Sequence, residues 1–373
     1  MMVRSFISKE RGLVRGVAVT ICTIIPTLLL TPLATFANTA AAVHSLPYAV
    51  GVTRCTFVDP TRTVMNYASS PPSVLSRNRV IVTEIRYPTS SSKTGTVEQV
   101  GAVPAVRLGG FPMIVFAHGY NVTPDNYAAL LDAWTRRGFV VVAPIFPDEN
   151  PVQVARQGGS NAAYDLWNEP ADLAFVTRQV VIDNTVTSEH CPLVKGLVNP
   201  IQLALAGHSD GGTVVGMLAL SNGKDSQGTN YRTLRAGLHY RATIVLSAKE
   251  DGVSSYQSLP STPALLVVQS AADRCNAPRG ALILYRAMRQ NRKWFLELLT
   301  AHHLPPFDGV DVPAFNVTVG VTIRFLQIAL EGSARTDALL AFGNSRPTIA
   351  RTFHKGLGPT LPANSSSFYC GTN

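Results

Sequence analysis

The chain has 373 residues, 46% hydrophobic and 15% charged, with a formal net charge of +9. This composition excludes wholesale disorder and supplies enough apolar surface for one large core or two smaller ones. The positive charge is not gathered into Lys/Arg clusters, so it reads as solubility and weak attraction to anionic surfaces, and nucleic-acid binding has no specific support.

The first residues carry Arg4, Lys9, Arg11 and Arg15, then an apolar run from Val17 to Leu33 and the small-residue stretch Thr35-Phe36-Ala37. A basic start, an apolar middle and small residues at the end are the layout of a secretory signal peptide. Residues 1–37 are therefore expected to form a leader cleaved after Ala37, with Ala40 and Ala42 as competing sites. Retention as a membrane anchor is the alternative, against which Pro26 and the threonines Thr20, Thr23, Thr27 and Thr31 weigh. Residues 38–373 are expected to form a single domain. Export makes the cysteines informative, because Cys22 leaves with the leader while Cys55, Cys191, Cys275 and Cys370 remain. An even number outside the cell suggests two disulfides, in any of three pairings, and no C-x-x-C spacing offers a metal site. Asn121, Asn316 and Asn364 each head a glycosylation sequon.

Along the chain, the Ser/Pro/Thr-rich stretches 69–76 and 89–95 read as loops around a strand at 80–87. Apolar runs suited to buried strands follow at 113–117, 140–143, 201–206, 242–247, 264–269 and 294–298. Helical patterns at 126–137, 169–181, 213–220 and 277–290 fall between most of them. Strands alternating with helices predict an α/β fold with a mainly parallel central sheet covered on both faces. The polar stretch 147–170, broken by Pro, Gly and Asn, reads as a lid or substrate-shaping loop, or equally as a surface excursion. A last helix over 314–331 covers the sheet, and the tail 332–373 has little periodicity beyond 338–342, with Cys370 tying down its end.

One motif carries chemistry. Gly207-His208-Ser209-Asp210-Gly211 lies between an apolar strand and a buried helix, the strand–turn–helix context in which G-x-S-x-G forms a nucleophile elbow. Small flanking residues let strand and helix approach, and the serine hydroxyl is presented at a helix N-terminus whose N–H groups favour negative charge. A serine hydroxyl is a weak nucleophile near neutral pH, so Ser209 needs a base, and the base needs an acid to orient it. Asp273, a short turn beyond the strand 264–269, is the favoured acid, and Asp251, after the strand 242–247, is its competitor. The base is one of two adjacent histidines after the last strand, His302 or His303.

Taken together, Gly207 to Gly211, the strand Leu296-Glu297-Leu298 and the turn Ala301-His302-His303 resemble the secreted serine esterases of the α/β-hydrolase superfamily. The likeness is greatest to the lipase, cutinase and polyester-hydrolase group and to its platelet-activating-factor acetylhydrolase and dienelactone-hydrolase-like relatives. It covers roughly residues 80–330 and implies an α/β-hydrolase fold and a serine esterase that works through an acyl-enzyme on Ser209. In that group a Leu-Glu-Leu strand leads through Ala-Ser-His to the base, which implies His303, with His302 in the serine position orienting the loop or touching substrate. His118-Gly119-Tyr120 is similar to the family's oxyanion turn, so the resemblance implies the N–H groups of Tyr120 and Asp210 as oxyanion donors, with the Tyr120 ring beside the acyl pocket. His118 then braces that loop, His208 packs against the sheet, and Asp172 has a structural role. Polyester hydrolases often carry methionine after the nucleophile and tryptophan after the next strand, whereas Asp210 and Ser247-Ala248-Lys249-Glu250 stand here. These departures weaken the implication of polyester cleavage, and Asp210 places a carboxylate beside a developing negative charge unless it turns away into the helix N-terminus.

The expected partner is an ester or lipid substrate, in solution or at a lipid interface, taken up by a monomer, and the chemistry calls for no metal or organic cofactor. Acyl transfer to an alcohol by the same triad is a second reading, and a non-catalytic protein that binds an apolar ligand in the same fold is a third.

Overall fold

The computed structural model describes residues 47–90, 98–159, 165–225, 227–249 and 262–361. The expected leader and its cleavage sites, Asp251, Asn364 and Cys370 lie outside these residues.

In chain order the strands are β1 (Ala49–Asp59), β2 (Val64–Asn66), β3 (Ser73–Ser76), β4 (Arg79–Thr89), β5 (Gln99–Val100), β6 (Phe111–Ala117), β7 (Val140–Pro144) and β8 (Val198–His208). They continue with β9 (Tyr240–Leu246), β10 (Ala264–Ser270), β11 (Lys293–Leu298) and β12 (Ala350–His354). The helices are α1 (Ala128–Arg136), α2 (Pro151–Arg156), α3 (Glu169–Asp183), α4 (Asp210–Leu220), α5 (Tyr231–Leu234), α6 (Pro278–Ala287), α7 (Pro305–Asp308), α8 (Val312–Leu330) and α9 (Thr336–Gly343).

Ten strands form one sheet in the order β12-β11-β10-β9-β8-β6-β7-β4-β1-β5, while β2 and β3 pair separately. From β7 through β6, β8, β9 and β10 to β11 every neighbour is parallel, and antiparallel pairing appears at β4–β7, β1–β4 and β11–β12. The parallel strands are buried on both faces, which is why they read as continuous apolar runs in the sequence. One face is covered by α3, α4 and α6 through residues such as Leu173, Val214 and Leu282. The other is covered by α1, α8 and α9 through Trp134, Phe325 and Leu339. The mainly parallel sheet with helices on both faces is thus as expected. Helix α8 is long and apolar enough to cross a membrane, but its apolar side is packed on the sheet as part of that core.

Three local expectations are corrected. The stretch 69–76 contains β3, which finds a partner in β2 and so escapes being loop. The stretch 147–170 is partly helical, because Asn150 caps α2 by accepting from the Gln153 N–H at 3.2 Å and Pro151 suits its first turn. The tail folds back as α9 and as β12, which adds antiparallel to β11.

Asp172 has the structural role implied by the resemblance, through a partner not visible in the sequence. Arg79 at the start of β4 is fully buried between Asp165 Oδ2 at 2.5 Å and Asp172 Oδ1 at 2.6 Å. Arg62 reaches the same Asp172 oxygen at 2.7 Å. Two carboxylates out of water are tolerated only because the guanidinium satisfies both, and removal of one partner of such a pair typically costs about 3–5 kcal/mol. Arg79→Leu is expected to lose roughly that much stability in urea unfolding, and a loss under about 1 kcal/mol would show that the cluster holds nothing together.

Candidate active site

Strand β8 ends at His208 and α4 begins at Asp210, so Ser209 alone makes the turn, at φ 56° and ψ −121°. A non-glycine residue in that region is strained and persists only where its surroundings force it. The forcing is close backbone contact. A Cβ on Gly207 would lie 2.2 Å from the Gly211 carbonyl oxygen, and one on Gly211 would lie 2.3 Å from that of Ala117. Only glycine fits either place, and the serine is thereby held at the carboxyl edge of the sheet.

Asp273 and His303 meet there. Asp273 is buried, and its Oδ2 accepts from His303 Nδ1 at 2.8 Å and from Gln269 Nε2 at 3.2 Å. Its Oδ1 accepts from the backbone N–H groups of Cys275 at 2.8 Å and Asn276 at 2.9 Å. Four donors fix the carboxylate and oblige His303 to carry its proton on Nδ1, which leaves Nε2 without a hydrogen-bond partner among the described residues. His302 is exposed and makes no such contact. The Ser209 hydroxyl is held instead by Asn276 Nδ2 at 3.4 Å, a side chain that also donates to the Ser247 carbonyl at 2.7 Å. Asn276 escaped the sequence reading. Its only local signal is the turn Asp273 forms with the N–H groups of residues 275 and 276.

The loop after β6 lies over the serine, where a Cβ on Gly119 would sit 3.0 Å from that of Ser209. His118 is fully buried, and burial pushes its imidazole down to about 4, so it is neutral. Its Nδ1–H donates to the Gly119 carbonyl at 2.8 Å and its Nε2 accepts from the Phe146 N–H at 3.0 Å, so it does brace the loop. The Gly119 N–H is spent on Tyr127 Oη at 3.2 Å. The Tyr120 N–H has no partner among the described residues, and the Asp210 N–H, first of α4, lies outside the helical ladder. The Tyr120 ring points its hydroxyl to the Gly159 carbonyl at 2.5 Å, linking the turn after β6 to the 147–170 segment.

His208 does more than pack. Its Nδ1 accepts from Tyr127 Oη at 2.8 Å and its Nε2–H donates to the backbone carbonyl of His303 at 3.0 Å. Burial, with the nearby His303, holds its imidazole well below the usual range and therefore neutral, as this donor–acceptor pattern requires. Its ring also lies 4.5 Å from that of His303 and 4.8 Å from that of Phe307, centroid to centroid. Among the described residues, no group of three or more His, Cys, Asp or Glu side chains is arranged to hold a metal ion.

Residues 70–272 match the model of the chlorophyllase family, more than half of the chain. The chain belongs to that family. The match takes in the elbow at Ser209 and stops one residue before Asp273. A chlorophyllase type 0 from Chenopodium album is 30% identical over 118 residues, which is 31% of this chain and only 30% of that protein. A ferulic acid esterase from Streptomyces cinnamoneus shares the fold at a TM-score of 0.53 and 17% identity, over 79% of this chain and 93% of that one. The α/β-hydrolase fold is therefore shown, and the chlorophyllase family sits inside the esterase class the sequence resembles.

In this member of the chlorophyllase family the two departures from the polyester-hydrolase pattern answer each other. Asp210 Oδ1 is 2.6 Å from Lys249 Nζ, so the carboxylate beside the nucleophile is turned away and neutralised by the residue after the next strand. Behind this pair lie Glu149 and Glu169, both fully buried. The two carboxyls are near enough to share a proton, although none of their oxygens meets strict hydrogen-bond geometry. Burial pushes both well above the usual carboxyl range, reinforced for Glu149 by Asp210 and for Glu169 by Glu149. Raised carboxyls keep protons that the unfolded chain releases, so their contribution is fully present below about pH 4.5 and is lost as pH rises through the folded values. Glu169→Gln is expected to flatten the fall of the melting temperature as pH rises above about 4.5. An unchanged slope would mean that the pair is already ionised in the folded protein.

Proposed function

We propose that the protein is a carboxylic ester hydrolase that acts through an acyl-enzyme on Ser209. The observation that carries this reading is the 2.8 Å bond from His303 Nδ1 to Asp273, made beside a serine held at positive φ on a helix N-terminus. Ser209 attacks the ester carbonyl while His303 Nε2 takes the hydroxyl proton, and Asp273 stabilises the imidazolium. The N–H groups of Tyr120 and Asp210 receive the oxyanion, and the proton returns from His303 to the leaving alcohol. Water, activated by the same histidine, then releases the acid. Membership of the chlorophyllase family supports a carboxylic ester as the substrate.

We also read the protein as exported. The disulfide between Cys55 and Cys191 supports an oxidising compartment.

A fluorophosphonate, which needs an activated serine, is expected to label Ser209 and no other residue. Ser209→Ala and His303→Ala should each lower turnover of short-chain ester substrates by about 10³-fold or more, and His302→Ala by less than about tenfold. Full ester turnover by Ser209→Ala would falsify the proposal, and a larger loss from His302→Ala than from His303→Ala would move the base.

A further inference from the structure

Several arginines of this protein meet carboxylates: Arg54 pairs with Glu84, Arg62 with Asp59, Arg79 with Asp165 and Asp172, Arg86 with Glu84 and Asp132, and Arg107 with Glu331. Four others converge on one cavity. It has a volume of about 550 Å³, lies between the end of α1 and the helices α8 and α9, and is lined by Arg136, Arg137, Arg324 and Arg335. Arg136 has Asp132 at 3.6 Å. Arg137, Arg324 and Arg335 have no carboxylate partner among the described residues.

Arg324 is fixed, with Nη1 donating to the Gly320 carbonyl at 2.9 Å and its guanidinium lying 3.9 Å from the centre of the Phe342 ring. Burial lowers it from the ordinary arginine value, and the charges of Arg137 and Arg335 push the same way, so both of those guanidinium groups repel that of Arg324. Helix dipoles do not explain them. A helix C-terminus welcomes Arg136 and Arg137, but Arg324 lies inside α8, and Arg335 stands at the N-terminus of α9, the end that disfavours a cation. Several guanidinium groups lining one concave site match the charge and the hydrogen-bonding geometry of a phosphate-like anion. The cavity also offers the apolar surfaces of Val319, Ile323 and Phe342.

We propose that this cavity is a second ligand site, which takes a phosphate monoester or an equivalent organic dianion on Arg137, Arg324 and Arg335. Helix α1 runs from the carboxyl edge of the sheet to the amino edge, so the site lies at the end of the sheet opposite Ser209 and does not depend on the esterase reading. An alkyl group on the phosphate is seated on the apolar side of the same cavity.

The test is titration calorimetry on the whole protein with inorganic phosphate, hexyl phosphate and phosphatidic-acid vesicles, against sodium chloride at equal ionic strength. Saturable one-site binding of a soluble phosphate is expected, tighter for hexyl phosphate than for inorganic phosphate. The variant Arg137→Gln/Arg335→Gln, which changes two exposed side chains, should bind about tenfold or more weakly with ester turnover unchanged. Arg324→Gln should weaken binding likewise. Binding of inorganic phosphate alone would identify free phosphate as the ligand and still support the site. Binding to vesicles without either soluble phosphate would overturn the cavity in favour of general surface attraction. Equal binding by wild type and double variant, or none above the chloride control, would overturn it too.

Discussion

Three turns that are far apart in the chain are held together by one line of hydrogen bonds. It runs from the Gly119 N–H to Tyr127 Oη, from Tyr127 to His208 Nδ1, and from His208 Nε2–H to the carbonyl of His303. The turn after β6, the turn at Ser209 and the loop of His303 are thereby set in one frame, and the positions of Ser209, Tyr120 and His303 depend on it. Each member has a single sense in which it can donate. Tyr127 spends its proton on His208, so Gly119 must donate to it, and His208 must be neutral with its proton on Nε2. Burial enforces that neutrality, because a charged imidazole here would lose its water and gain no carboxylate. A network with one protonation pattern is rigid in a way that packing alone is not.

The electrostatics around the proposed oxyanion donors follow a related logic. Asp210 sits nearest the place where negative charge would develop, and Lys249 takes its carboxylate. Burial pushes Glu149 and Glu169 well above the usual carboxyl range, which disfavours further negative charge beside Asp210. With the Asp210 carboxylate paired to Lys249 and further charge on the buried glutamates disfavoured, the field of the α4 N-terminus meets less opposition, which is the condition under which the two proposed N–H donors would stabilise an oxyanion. Arg79 belongs to the same arrangement at one remove. By holding Asp165 and Asp172 it anchors the segment that carries Glu169, and it does so from β4 on the far side of the elbow strand.

How much of this the sequence revealed depended on range. The parallel strands were legible because burial on both faces writes an uninterrupted apolar run. Ser209, Asp273 and His303 were legible because each stands where a strand gives way to a short turn. Strands β1 and β12 were harder to see, since β1 alternates buried and exposed residues and β12 exists only by pairing with β11. Tyr127, Gln269 and Lys249 left no pattern that pointed to their partners, and Asn276 left only the turn at Asp273. Tyr127 reaches a partner 81 residues on, and His208 one that is 95 residues on. Such contacts become defined only when the sheet order brings the turns together, which local periodicity does not encode. The adjacent pair His302 and His303 shows the same limit, because the choice between them rests on which ring faces Asp273.

The disulfides fall where this frame has least support of its own. Cys55 in β1 is bridged to Cys191, 136 residues later, so an outer antiparallel strand is tied to the segment that leads into β8. Cross-linking so long a loop removes much of the freedom of the unfolded chain, and it spares β1 from relying on its pairing with β4 alone. Cys275 is also disulfide-bonded, and its N–H donates to Asp273 Oδ1. The turn that holds Asp273 therefore has a covalent anchor two residues beyond it, while the loop of His303 is fixed by the bond from His208 to the His303 carbonyl. Rigidity is supplied from outside on the Asp273 side and through the buried relay on the His303 side, and the 2.8 Å bond between Asp273 and His303 is where the two meet.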